Sequence, residues 1–128
     1  MAAISDYLEN ALINEVLRNV GYTPSATVYL ALFTTATTDA GGGTEVTGGS
    51  GPYARQAITF SAASGGATSN SGAVSFAGMP AATVTHAAIM DASTAGNMLF
   101  HGALSAPKIV GAGDTLTFAI GDIDVSLA

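Results

Sequence analysis

The chain has 128 residues, long enough for one domain with a real core and too short for two. Only 9% of them are charged, against about 25% in an ordinary domain; the net charge is −6 and the cations are Arg18, Arg55 and Lys108. Three scattered cations make no phosphate-neutralising face, so nucleic acid is excluded as a partner, and with no cysteine there is neither a disulfide framework nor a thiol nucleophile.

Apolar residues make up 48%, a globular rather than a disordered composition. A surface so poor in charge is small, neutral and hydroxyl-rich, with little repulsion between copies, which points to dense self-assembly. No apolar run reaches the roughly 18 residues of a membrane helix, and Asp6, Glu9 and Glu15 break any signal-peptide pattern. The expectation is a soluble chain made in a cytoplasm, with no membrane partner.

Residues 5–20, SDYLENALINEVLRNV, predict the one helix. Ser5 or Asp6 suits the N-cap, and Asp6 and Glu9 have capping-box spacing. Leu8, Leu12 and Val16 recur every four residues, with Ile13, Leu17 and Val20 alongside. Arg18 suits the last turn, Gly21 is the expected residue after the end, and Pro24 forbids continuation. This amphipathic stripe covers one end of the domain by default; insertion into a partner is the alternative.

Residues 27–128 read as β structure. VYLALF (28–33) has the apolar run of a buried strand. ARQAITF (54–60) places Ile58 and Phe60 on one face, and GAVSF (72–76) does the same with Val74 and Phe76. TVTHAAIM (83–90) and NMLFHGAL (97–104) flank a turn-rich DASTAG and predict a hairpin. TLTFAI (115–120) aligns Leu116, Phe118 and Ile120, whereas DIDVSL (122–127) aligns Ile123, Val125 and Leu127. That change of parity across Gly121 predicts a bulge or tight bend. Seven short strands with regular turn signals argue for a single mainly β domain: an antiparallel β-sandwich, jelly-roll-like or Ig-like, with one N-terminal helix.

Between the first two strands lies a long loop, 34–53, with glycine at 41, 42, 43, 48, 49 and 51. It is no phosphate cradle. No lysine follows the glycines as in a P-loop, the dinucleotide spacing fails at Val46, and a strand follows where a helix N-terminus is required. Long ordered loops more often serve binding or assembly. Arg55, entering the next strand behind Tyr53, is expected to pair with Asp39 or Glu45 and pin the loop to the sheet, with an intersubunit contact as the sharper reading.

Catalytic and metal motifs are missing. His86 and His101 could come level across the hairpin, but two histidines do not make a zinc site. A serine triad has no G-x-S-x-G elbow to support it. Asp122 and Asp124, two apart on a strand, fit its solvated face. No enzyme, cofactor or metal is expected.

The segments SDYLENALINEVL, LFTTATTDAGGGTEV, YARQ, IMDASTAGNMLFHG and GDTLTFAIGDIDVSL, taken together, resemble a family of small virion proteins of tailed bacteriophages, labelled tail-fibre-like or head decoration (cement) proteins. The resemblance spans essentially the whole chain; Ser50, Gly51 and Pro52 lengthen the loop beyond the common pattern. It implies a virion protein, assembled in the host cytoplasm, that forms a homo-oligomer (a trimer or a dimer). The first expectation is a cement protein bound to the major capsid protein on the outer head surface, bridging capsomers by avidity. The rival is a tail-fibre or tail-tip component that reads the host surface. The residues expected to meet a partner are Tyr7, Leu8, Asp39, Gly42, Thr44, Glu45, Tyr53 and Arg55, together with the two chain ends.

Overall fold

A computed structural model describes residues 3–49 and 51–127. Met1, Ala2 and Ala128 lie outside the described residues, and with them part of the expectation for the chain ends. Ser50 in the lengthened loop does so too.

A two-residue strand, β1 (Ala3–Ile4), leads into helix α1 (Asp6–Arg18). Ser5 is the N-cap: its Oγ accepts from the Leu8 amide at 3.3 Å and donates to the Met98 carbonyl at 2.5 Å. The helix stops earlier than expected. Asn19, not Gly21, takes the left-handed conformation (φ 55°), and the Val20 amide reaches back to the Asn14 carbonyl at 3.1 Å. Asparagine tolerates that geometry almost as well as glycine, so the closing turn forms at the first suitable residue.

The main sheet has five antiparallel strands in the order β1-β7-β6-β2-β3. Here β2 is Val28–Phe33, β3 is Gln56–Ile58, β6 is Ala82–Met90 and β7 is Met98–Val110. Two ribbons pack on it: β4 (Ala67–Ser69) with β9 (Asp124–Ser126), and β5 (Val74–Met79) with β8 (Asp114–Phe118). The result is mainly β, antiparallel and sandwich-like, with one N-terminal helix. Leu30, Leu32, Val84 and Ile89 from the sheet meet Val74, Phe76, Leu116 and Phe118 from a ribbon in one core. Phe76 lies at its centre, stacked on Tyr53 at 6.0 Å and edge-on to Phe118 at 6.2 Å.

The bend at Gly121 is present (φ 85°), and Ile123 and Val125 are buried after it. Ile120 and Leu127 depart from expectation, being 67% and 61% exposed. The chain turns immediately beyond Ile120, with the Asp122 carboxylate accepting from the Ala119 amide, so the apolar alternation ends at Phe118. Phe60 also leaves its strand; after Ile58 the chain swings out and Phe60 bridges to Asn70.

Strand β7 extends past the expected end at Leu104, through Pro107. Ladder pairing with β6 breaks between His86↔Ala103 and Val84↔Lys108, so residues 104–107 bulge opposite Thr85. Proline is tolerated in a bulge because no ladder donor is required there. β1 and β4 carry no periodic signal and are strands only because β7 and β9 pair with them.

Asn70, 1% exposed, joins the two ribbons. Its amide nitrogen donates to the carbonyls of Gly72 (2.8 Å) and Ala119 (3.0 Å), and its oxygen accepts from the Ile123 amide at 2.9 Å. Asn70→Ala strands all three backbone groups in the interior. It is expected to lower unfolding free energy by about 3 kcal/mol in urea titration. Asn70→Asp, which keeps the shape but loses both donors, is expected to be no milder.

Candidate interaction surface

The glycine loop is a folded structure. As it leaves β2, the Thr34 amide donates to the Thr44 carbonyl at 2.9 Å, the Thr44 amide donates to Thr35 Oγ1 at 2.8 Å, and Phe33 bridges to Glu45. At its tip the Gly42 amide donates to Thr38 Oγ1 at 2.9 Å. A Cβ on Gly42 would stand 2.6 Å from that oxygen, and Gly43 (φ 112°) has the Ala36 carbonyl at 3.0 Å from its Cβ position. Glycine is needed at 43, where the backbone takes a positive φ and passes close to itself, while at 42 it leaves room for the Thr38 hydroxyl.

Inward anchors hold the rest of the loop. Val46 and Tyr53 are 1% and 2% exposed. The Tyr53 hydroxyl accepts from the Leu32 amide at 2.9 Å and donates to Glu45 Oε2 at 2.7 Å. Arg55 forks onto the same carboxylate, Nε to Oε2 and Nη2 to Oε1, each at 2.9 Å. Its Nη1 donates to the carbonyls of Ala92 (3.0 Å) and Ala95 (2.8 Å) in the β6–β7 turn. Of the two acids expected as partners for Arg55, Glu45 is the one used. The bonds to Glu45 push the Arg55 pKa up, against its desolvation. Burial is the largest cause of the rise at Tyr53, whose pKa lies far above the ordinary tyrosine value of 10.0.

Asp39 serves another partner. Its Oδ1 lies 2.8 Å from His101 Nε2, and His101 Nδ1 lies 2.8 Å from Thr37 Oγ1. The carboxylate calls for a proton on Nε2, which leaves Nδ1 to accept from the Thr37 hydroxyl. The Asp39 carbonyl also accepts from the Asp6 amide at 2.9 Å, tying the loop to the start of α1. The histidines are not level, since His101 pairs with Ala88 and His86 with Ala103. Among the described residues no three metal-ligating side chains converge. Asp122 and Asp124 lie on the exposed side, as expected.

The eight residues expected at a partner interface therefore divide. Tyr7 (42% exposed, edge-on to Tyr22 at 6.5 Å), Asp39 and Thr44 reach the surface, and Gly42 is half-buried. Leu8 and Tyr53 are core residues, and the side chains of Arg55 and Glu45 are only 9% and 11% exposed. These four shape the surface from beneath. The helix stripe departs from its default reading: Leu8 is buried and Leu12 packs on the core, but Ile13, Val16, Leu17 and Val20 face outward. Sequence reasoning also missed an apolar groove of about 310 Å³ between the main sheet and the β4–β9 ribbon, because its walls come from distant segments.

The family model described as podophage GP4 fiber I protein gp80 matches the chain over residues 3–126. The chain belongs to this family. It is a structural protein of the phage virion, of the tail-fibre-like kind that the sequence resembles. No curated protein matches it. In this fibre-family chain the long surface loop is built from glycine, threonine and backbone bonds, with a buried acid–tyrosine–arginine group beneath it.

Two substitutions test that group. Glu45→Gln leaves the Arg55 guanidinium buried without a counter-charge, and is expected to cost about 3 kcal/mol in chemical denaturation. For Tyr53 the folded pKa is raised, so its contribution is complete below the unfolded value of 10.0 and is lost as pH rises above it. Stability should fall with increasing pH beyond 10. Tyr53→Phe should flatten that alkaline limb without abolishing it, because burial raises Tyr22 as well. Denaturant midpoints from pH 8 to 11 check the slope.

Proposed function

We propose that the protein is a fibre-type subunit of the virion that acts by multivalent docking to neighbouring virion proteins, without chemistry of its own. The observation that carries this reading is the match to a fibre family over residues 3–126. The low charge supports it, since few charges must be desolvated when surface is buried against a neighbour. So does the loop, whose tip is set by internal bonds before any partner arrives and therefore loses little entropy on docking.

Head decoration is the second reading, with the major capsid protein as partner and an oligomer of this chain as the binding unit. Compactness favours it: the described residues form one layered domain with no repeat along an axis from which a shaft could be built. Avidity would then come from several copies, each making weak contacts across capsomers.

Copy number separates the two. A fibre subunit is expected at a few dozen copies or fewer per particle, on the order of its attachment sites, whereas decoration requires hundreds; quantitative gels of purified virions, with antibody labelling under the electron microscope, provide both count and place. Hundreds of copies on the head would overturn the fibre reading. Thr44→Lys alters an exposed side chain and should leave the melting temperature within about a degree or two, whereas Tyr7→Ser also gives up the edge-on contact with Tyr22 and should lower it by about 4 degrees. Incorporation into particles should drop at least about tenfold, a loss of roughly 1.4 kcal/mol of docking energy.

A further inference from the structure

Where the start of α1, the tip of the glycine loop and the β6–β7 turn meet, they enclose a pocket of about 260 Å³. Its walls are bonded to one another. The Asp6 amide donates to the Asp39 carbonyl at 2.9 Å, and the Ser5 hydroxyl donates to the Met98 carbonyl. Buried Met90 and Met98 supply its apolar part, and Tyr7 brings an aromatic ring that is 42% exposed. The free polar atoms are mainly acceptors. The Asp6 carboxylate has no partner among the described residues, Asp39 uses only Oδ1, on His101, and the Asn97 side chain uses only its nitrogen, on Asp91. The surrounding field is negative as well. After burial, which is the largest cause, Tyr7, Asp91 and Glu15 each push up the pKa of Tyr22, the ring that meets Tyr7 edge-on.

None of the chain's own cations answers this charge. Arg55 reaches the carbonyls of the same turn, but Glu45 meets its charge in the interior. Arg18 bonds Asn14 at the far end of α1, and Lys108 lines a different cavity. The class of ligand follows from these groups. An anion is repelled by Asp6 and Asp39. A metal ion needs more ligands, and among the described residues no three metal-ligating side chains converge. A guanidinium brings five donors and no acceptor, lays its plane on an aromatic face, and carries a stem that suits the methionines. An ammonium is more strongly hydrated and gives up more on leaving water.

We propose that this pocket receives an arginine side chain of a neighbouring virion protein, its guanidinium between Asp6 and Asp39 and its plane against Tyr7. A second copy is the poorer donor, because its Arg55 is buried and its Arg18 is already bonded to Asn14. The proposal rests on the docking reading and names the group that is docked.

The test is an NMR titration of the isotope-labelled full chain with three peptides, acetyl-Gly-Arg-Gly-amide and its lysine and glutamine counterparts, each to about 20 mM. The arginine peptide is expected to shift the amides of Asp6, Tyr7, Gly41 and Asn97 saturably. The lysine peptide should bind about threefold more weakly, and the glutamine peptide should not bind. Asp6→Asn, whose side chain holds nothing in the fold, should weaken arginine binding about threefold, and Tyr7→Leu about as much. Asp6→Glu should retain it, and Asp124→Asn, outside the pocket, should leave it unchanged. Absence of saturable shifts, equal binding of the glutamine peptide, or equal losses in Asp6→Asn and Asp124→Asn would overturn the proposal. So would occupation by a second copy, seen as concentration-dependent shifts of the same amides that Arg18→Gln removes. Thr44→Lys lies outside the pocket and reads incorporation separately. If it leaves particles unchanged while the peptide binds, the docking reading fails and the pocket stands; the reverse pair sinks the pocket alone.

Discussion

The surface of this protein depends on one carboxylate. Glu45 accepts from the Tyr53 hydroxyl and from both arms of the Arg55 fork, while that hydroxyl also satisfies the Leu32 amide of the central strand. Three polar side chains are thereby buried with their hydrogen bonds met, the condition under which burial of charge is tolerable. The group closes the long loop onto β2, and through the remaining nitrogen of Arg55 it also fixes the β6–β7 turn. Loop and turn are two parts of one hydrogen-bonded face, and the glycine tip adds shape to that base.

Much of the fold is legible in the sequence, for local physical reasons. The Ser5 cap, the 83–104 hairpin, the inward pair Val74 and Phe76 and the reversal at Gly121 all follow from residue types at short range. What escapes depends on partners distant in the chain. β1 and β4 exist because β7 and β9 offer open edges, and Pro107 sits inside β7 only because a bulge relieves it of a donor's duty. Asn19 displaces Gly21 as the helix stop because both can turn left-handed and Asn19 comes first.

The candidate surface was readable to a similar degree. A tyrosine and an arginine at a strand entrance, with two acids upstream, narrow the ion pair to Glu45 or Asp39; the choice is made by His101, which claims Asp39 from 62 residues away. The helix shows why periodicity alone cannot decide burial. Its stripe is continuous in sequence, but the sheet end beneath it is only wide enough for Leu8 and Leu12, so the later turns overhang. The groove is still less accessible to sequence reasoning, since Val28, Phe60, Phe100 and Val125 share no local pattern.

The bulge in β7 has a further consequence, for how the sheet ends. An uncovered strand edge is a template for adding strands without limit. Among the described residues, β7 pairs on that side with β1, at residues 100 and 101, and with no other strand. Its outer stretch carries Pro107, which offers no amide, and Lys108, whose charge resists stacking like on like. Along this edge, copies that meet find a missing donor and a like charge, so the sheet does not readily extend through its backbone here.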